Sequence, residues 1–207
     1  MSTQRLLFCL FISISANTYA AGDPAAGQEK SAVCQGCHGP DGNSFSPEWP
    51  NLASQNVGYL SKQLHDFQSG NRKNETMTDM AAGLKEKDIQ DIASYFSQQK
   101  VKTEAGASSA VGKKIYGGGN RYSSLPACAG CHGPHGVGNG PGMIPWLAGQ
   151  KAGYVAKALR DFRSGARSND RNNIMQDIAA KMTDKEIDAV ASYLAGLGAE
   201  ETTALNQ

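Results

Sequence analysis

The sequence predicts an all-α chain built from two tandem domains of one design. Three observations predict it. The chain repeats itself end to end. Its apolar residues recur at helical spacing, with no sustained strand alternation. Each half also carries the same Cys-x-x-Cys-His cluster.

The repeat is read block by block. Cys34-Gln-Gly-Cys-His-Gly-Pro40 recurs as Cys128-Ala-Gly-Cys-His-Gly-Pro134, and Pro50-Asn-Leu-Ala-Ser-Gln55 as Pro145-Trp-Leu-Ala-Gly-Gln150. Gly58-Tyr59 matches Gly153-Tyr154, Asp66-Phe-Gln-Ser-Gly70 matches Asp161-Phe-Arg-Ser-Gly165, and Ala93-Ser-Tyr95 matches Ala191-Ser-Tyr193. The offset grows from 94 at the cysteines to 98 near the end, so short insertions fall between matched blocks, as loops permit.

In chain order, residues 1–20 read as an export leader. Arg5 supplies a positive start, 6–14 is a short apolar run, and Thr18-Tyr19-Ala20 places small residues for cleavage after Ala20. The run is too short to span a bilayer. Cys9 is lost with the leader. Residues 21–100 form the N-terminal domain. Tyr59, Leu60, Leu64 and Phe67 line one helix, stopped by Gly70; Ile89, Ile92, Ala93 and Phe96 line a second. Residues 101–110 are small and polar and read as a linker. Residues 111–207 form the C-terminal domain, where Tyr154, Val155, Ala158, Leu159 and Phe162 precede Gly165, and Ile187, Val190, Ala191 and Leu194 follow. Acidic residues in 85–88 and 183–186 suit the N-termini of the last helices. Repeat two carries nine extra residues between its opening glycine and first cysteine, mostly 117–125, which reads as a surface loop.

Net charge is +1, but it is unevenly spread. Residues 22–105 hold 8 Lys/Arg and 11 Asp/Glu, and residues 106–207 hold 11 and 8. The halves therefore differ in sign, which orients a molecule toward charged partners. No basic patch concentrates, so nucleic acid is excluded as a partner.

Four cysteines remain after the leader: Cys34, Cys37, Cys128 and Cys131. In a small exported chain, two disulfides are the default. Cys-x-x-Cys-His is instead the attachment signature for c-type haem. Two thiols one helical turn apart each add to a haem vinyl group, and the adjacent His reaches the iron. A redox Cys-x-x-Cys or a four-cysteine zinc site would leave both histidines unexplained. Each domain, roughly 80–90 residues long, has a marginal core unless a cofactor fills it.

His38 and His132 are thus the proximal iron ligands. His65 aligns with Arg160 and His135 with Asp41, so neither recurs between the copies, and both read as surface residues. Methionine is the natural sixth ligand, since it raises the potential and closes the iron. Aligning Ala81-Ala82 with Ala179-Ala180 pairs Met77 with Met175. Met80 is the rival in the first site. The register otherwise assigns Met80 and Met182 to core positions, and Met143 has no counterpart.

Taken together, these residues resemble the dihaem cytochromes c of the c4 type. The resemblance spans the mature chain, including the Ala-Gly-Asp start at Ala21, both haem motifs, both Met regions, the Ala-Ser-Tyr-Phe run at 93–96 and residues 163–170. It implies two tandem cytochrome c-like (class-I) domains, each around one covalently bound haem c with His/Met-ligated iron, and haem edges facing near the domain interface. It also implies that the carbonyls of Pro50 and Pro145 accept the N–H of the proximal histidines. The implied function is a periplasmic carrier, soluble or loosely membrane-associated, shuttling single electrons between respiratory complexes and terminal oxidases. The alternative is a dihaem redox enzyme, peroxidase-like or thiosulfate-oxidising, with one open iron. Two paired methionines argue against it.

Overall fold

The structure, a computed structural model, describes residues 22–104 and 107–198. The leader at 1–20, Cys9 and the chain end lie outside the described residues. Among the described residues ten helices follow in order: α1 Pro24–Lys30, α2 Ala32–His38, α3 Val57–Gln68, α4 Glu75–Ala82, α5 Glu86–Gln98, α6 Ala110–Gly118, α7 Ala129–His132, α8 Ala152–Ser164, α9 Ile174–Ala179 and α10 Asp184–Gly196. A 3₁₀ turn at Arg171–Asn173 precedes α9. Among the described residues there is no strand, only two isolated bridges, Asn120 to Leu125 and Asn139 to Ile144. No described helix is long and apolar enough to cross a membrane.

Each half packs the same way. α1 crosses α5, and α3 lies against α4 and α5. In the second half α6 crosses α10, and α8 lies against α9 and α10. The crossings depend on one glycine each. A Cβ on Gly27 would sit 2.0 Å from the Asp91 carbonyl oxygen, and one on Gly112 would sit 2.0 Å from that of Ala189. Only a residue without a side chain lets the two backbones come this close.

The apolar stripes become two cores. Leu60, Ile92, Ala93, Tyr95 and Phe96 are buried together in the first, with Cys34, Leu52, Val57 and Leu84 against them. Ile115, Tyr116, Leu125, Val155, Leu159, Met182, Ile187, Val190 and Leu194 build the second. The helix stops fall where the sequence puts them: Gly70 and Gly165 take positive φ values of 76° and 79°. The Lys85 N–H donates to Asp88 Oδ2 at 3.0 Å, and the Thr183 N–H to Glu186 Oε2 at 2.8 Å, capping α5 and α10.

The segment read as a linker is pinned to both halves. The Lys102 N–H donates to Asn43 Oδ1 at 2.7 Å, the Val101 N–H to Ser54 Oγ at 3.1 Å, and the Glu104 N–H to the Ala195 carbonyl at 2.9 Å. The extra loop at 117–125 folds back onto its own domain. Asn120 Nδ2 donates to Glu186 Oε1 at 2.7 Å, and Leu125 is buried while Tyr122 is 85 % exposed.

Candidate functional site

The haem motif begins as a helix in both halves. On α2, Cys34 and Cys37 stand three residues apart on one face, with His38 as the last helical residue. In the second half α7 is a single turn, but Cys128 already has helical angles (φ −60°, ψ −35°). The His132 N–H closes that turn on the Cys128 carbonyl at 2.9 Å. None of the four cysteines is in a disulfide. Burial pushes the Cys34 thiol up, and that of Cys128 up to about 11. Among the described residues no three His, Cys, Asp or Glu gather around a common point for a metal ion. The cysteines therefore form two separate pairs rather than one zinc-type cluster.

His38 and His132 are both buried. His38 Nδ1 lies 2.9 Å from the Pro50 carbonyl oxygen, and His132 Nδ1 lies 3.1 Å from that of Pro145. A carbonyl can only accept, so Nδ1 carries the hydrogen and Nε2 keeps its lone pair. Burial holds both imidazoles below their ordinary pKa, with the proline carbonyls acting in the opposite sense. A neutral ring, fixed in tautomer and orientation, is the state a metal requires of histidine.

Met77 and Met175 arrive on the first turns of α4 and α9. The Met77 N–H donates to Asn74 Oδ1 at 2.9 Å, and the Met175 N–H to Asp170 Oδ2 at 2.8 Å. Both side chains are half-buried, and Met175 packs on the second core. Met182 is core, as its register indicates, at 4 % exposure. Met80 departs from its expected core position. It is 47 % exposed on the short helix α4. Met143 is exposed in a loop with φ 54°. His65 Nε2 pairs with Glu86 Oε2 at 3.0 Å near the surface, and His135 is exposed.

Between the two sites lies an interface whose contacts come in symmetric pairs. Gln55 Nε2 donates to the Trp146 carbonyl (2.9 Å), and the Trp146 N–H donates back to Gln55 Oε1 (2.8 Å). Gln150 does the same to Asn51, at 2.9 and 2.7 Å. Arg72 Nη2 donates to the Tyr154 hydroxyl at 3.0 Å, and Arg167 Nη2 to the Tyr59 hydroxyl at 2.9 Å. Each guanidinium also stacks on a ring of its own repeat: Arg72 lies 4.7 Å from the Phe67 centroid and Arg167 4.4 Å from that of Phe162. Arg167 is buried. Burial pushes the Tyr154 hydroxyl up, but the Arg72 and Arg167 charges outweigh it and bring the group down to about 8. Sequence reasoning missed these polar pairs. Their signal was available: Gln55/Gln150, Tyr59/Tyr154 and Arg72/Arg167 are identical in both repeats yet lie outside the haem motifs.

The cytochrome c family model matches residues 24–100 and again 109–198. The chain is 46 % identical to cytochrome c4 of Azotobacter vinelandii over 95 % of its own length and 100 % of the relative's. It is 47 % identical to cytochrome c4 of Pseudomonas aeruginosa, over 94 % and 99 %. The chain belongs to the dihaem cytochrome c4 family. The solved structure of reduced recombinant cytochrome c4 from Pseudomonas stutzeri superposes with a TM-score of 0.81 at 47 % identity, covering 86 % of this chain and 100 % of that one. As a member of the c4 family, the chain carries two covalently bound haem c groups and is an electron carrier that works with redox partners. The residues present fit that cofactor. Each half offers two free thiols one turn apart, a neutral imidazole with its Nδ1 hydrogen already bonded, and a thioether on a neighbouring helix.

Proposed function

We propose that residues 1–20 export this chain to the periplasm, where two domains, 21–100 and 111–207 joined by 101–110, pass single electrons between respiratory complexes and terminal oxidases. Cys34 and Cys37 would tether the first haem, with His38 and Met77 holding its iron. Cys128 and Cys131 would tether the second, with His132 and Met175. The observation that carries the assignment is the twice-made bond from His Nδ1 to a proline carbonyl, at 2.9 and 3.1 Å, directly after each cysteine pair.

When bound, haem c supplies an iron that cycles between Fe(II) and Fe(III). The chain does the rest. The cysteines hold the cofactor in domains too small to bury it by packing alone. Pro50 and Pro145 fix the imidazoles, so their Nε2 lone pairs keep one direction through the redox cycle. Met77 and Met175 would each supply a second protein ligand to the iron, completing a saturated ligand set. Leu60, Phe96, Leu159 and Leu194 keep the surroundings apolar. The paired glutamines and arginines hold the domains in one relative position, so electron passage between them needs no domain search. The acidic first half and basic second half present different faces to donor and acceptor. Neutralising the charges of one half without changing transfer to any partner would overturn that last point.

The test is an optical spectrum of the purified holoprotein with a pyridine haemochrome assay and carbon monoxide exposure. Two haems c per chain, a weak far-red Met–iron band when oxidised and no carbon monoxide shift are expected. Met77→Ala and Met175→Ala should each remove about half of that band. A carbon monoxide shift on half the haem of the unsubstituted protein would indicate one open iron and overturn the carrier assignment.

A further inference from the structure

The two methionine loops are not equivalent. Asn74 and Asn169 hold the same place in the repeat, two residues after Arg72 and Arg167. Met77 follows Asn74 by three residues, whereas Met175 follows Asn169 by six. In the first half the Asn74 side chain caps the Met77 N–H at 2.9 Å. In the second half the three extra residues pass that duty to Asp170. Its Oδ2 accepts from the Met175 N–H at 2.8 Å and the Gln176 N–H at 3.1 Å, and its Oδ1 accepts from Gln176 Nε2 at 2.9 Å. Asn172 and Asn173, both with positive φ, complete the turn.

Freed from capping, Asn169 crosses to the other domain. Its Nδ2 donates to Asp66 Oδ2 at 2.6 Å and to Gln63 Oε1 at 3.0 Å, and its carbonyl accepts from Lys62 Nζ at 2.7 Å. Lys62 also pairs with Asp66. Asp66 is 8 % exposed, so its carboxylate sits away from bulk water while the Lys62 side chain stays partly exposed. Arg167 holds the other end of the amide, Nε to Asn169 Oδ1 at 2.9 Å. The repeat-two counterparts keep the ion pair, Lys157 with Asp161 on α8, but the asparagine at the matching place, Asn74, uses its amide oxygen to cap Met77 in its own loop.

With Met175 read as an iron ligand, we propose that Lys62 and Asp66 of the first domain are positioning residues for it, acting through Asn169 and Asp170. The Met175–iron bond then depends on contact between the domains, and the Met77–iron bond does not. Hydrogen bonds join α3 to Asn169, the peptide bond carries the constraint to Asp170, and Asp170 caps the first turn of α9. In the first half the cross-domain bond is made by Arg72 to Tyr154, while Asn74 caps Met77 from within its own loop.

Imidazole binding to the oxidised holoprotein measures this directly, because imidazole must displace methionine to reach the iron. Asp66→Ala and Asn169→Ala are each expected to tighten imidazole binding about tenfold at one haem and leave the other unchanged. Asp161→Ala should change neither. Asn169→Ala leaves the Lys62–Asp66 pair intact and carries the test should Asp66→Ala fail to fold. Unchanged affinity at both haems, or equal change at both, overturns the proposal. Met175→Ala separates the two layers. If it does not remove half of the far-red band, the ligand assignment is wrong. If it does, and the Asp66 and Asn169 variants still bind imidazole as the parent does, only the cross-domain positioning is wrong.

Discussion

The side-chain amide of Gln150 closes two hydrogen bonds on the backbone of Asn51, ninety-nine residues away, with the N–H donating at 2.7 Å and the carbonyl accepting at 2.9 Å. Gln55 repeats the arrangement on Trp146. Both glutamines are 5 % exposed and Asn51 is 2 % exposed, so the Asn51 backbone has no water to replace a lost partner, whereas Trp146 is half-buried. Gln150→Ala should therefore destabilise the docked state by about 2–3 kcal/mol. Calorimetry checks this: the Gln55→Ala, Gln150→Ala double variant should unfold in two separate transitions, one per domain. A single transition at the parental temperature would contradict it.

Register separates Met80 from Met77: the counterpart of Met77 is Met175, whereas that of Met80 is Ile178, which has no sulfur to offer. Met80→Leu should leave the far-red band and the carbon monoxide response as in the parent, whereas Met77→Leu should remove one haem's share of the band. Loss of the band in Met80→Leu would reverse the assignment within α4.

Gly27 and Gly112 set the helix crossings. Alanine is the better helix former by about 1 kcal/mol, which by itself would favour Gly27→Ala. A Cβ 2.0 Å from the Asp91 carbonyl oxygen cannot be accommodated without parting α1 from α5. Overpacking of this kind costs about 1–3 kcal/mol. The net effect should be a lower thermal midpoint, and an unchanged or raised midpoint would show that the crossing can shift freely.

Asp91 ties α1 to α5. It is fully buried, and the Lys30 ammonium (2.8 Å) and the Asp23 N–H (2.7 Å) hold its carboxyl well below the usual carboxylate range. Below about pH 3.9 the unfolded chain takes up this proton while the folded chain resists it. The stabilisation is therefore fully present above that pH and is lost as pH falls toward the depressed folded value. Thermal midpoints measured across this acid window should fall more steeply for the parent than for Asp91→Asn. Equal slopes would mean that Asp91 titrates normally.

The helices and the sites differ in how far the sequence revealed them. The apolar stripes of α3, α5, α8 and α10 were legible because each helix buries one face, and a 3.6-residue period marks that face on the chain. The cysteine-histidine motifs were legible because thioether attachment demands a fixed local spacing. The proline carbonyls came only through family resemblance, since a backbone acceptor 12 or 13 residues distant leaves no mark in residue type. Met80 was placed in the core on the strength of its register partner, Ile178, which is half-buried, while Met80 itself is 47 % exposed.

By itself, then, the sequence determined the repeat, the helical class, the haem motifs and the family, because each rests on local periodicity or spacing. The tertiary structure alone decided how the halves meet. The Gln150–Asn51 and Arg167–Tyr59 contacts join residues about a hundred positions apart. Their hydrogen bonds depend on how two finished surfaces match, and no local pattern along the chain records that. It also decided that one methionine loop is braced by the neighbouring domain. Three inserted residues moved the cap from an asparagine to an aspartate, and only folding shows where the released asparagine then reaches.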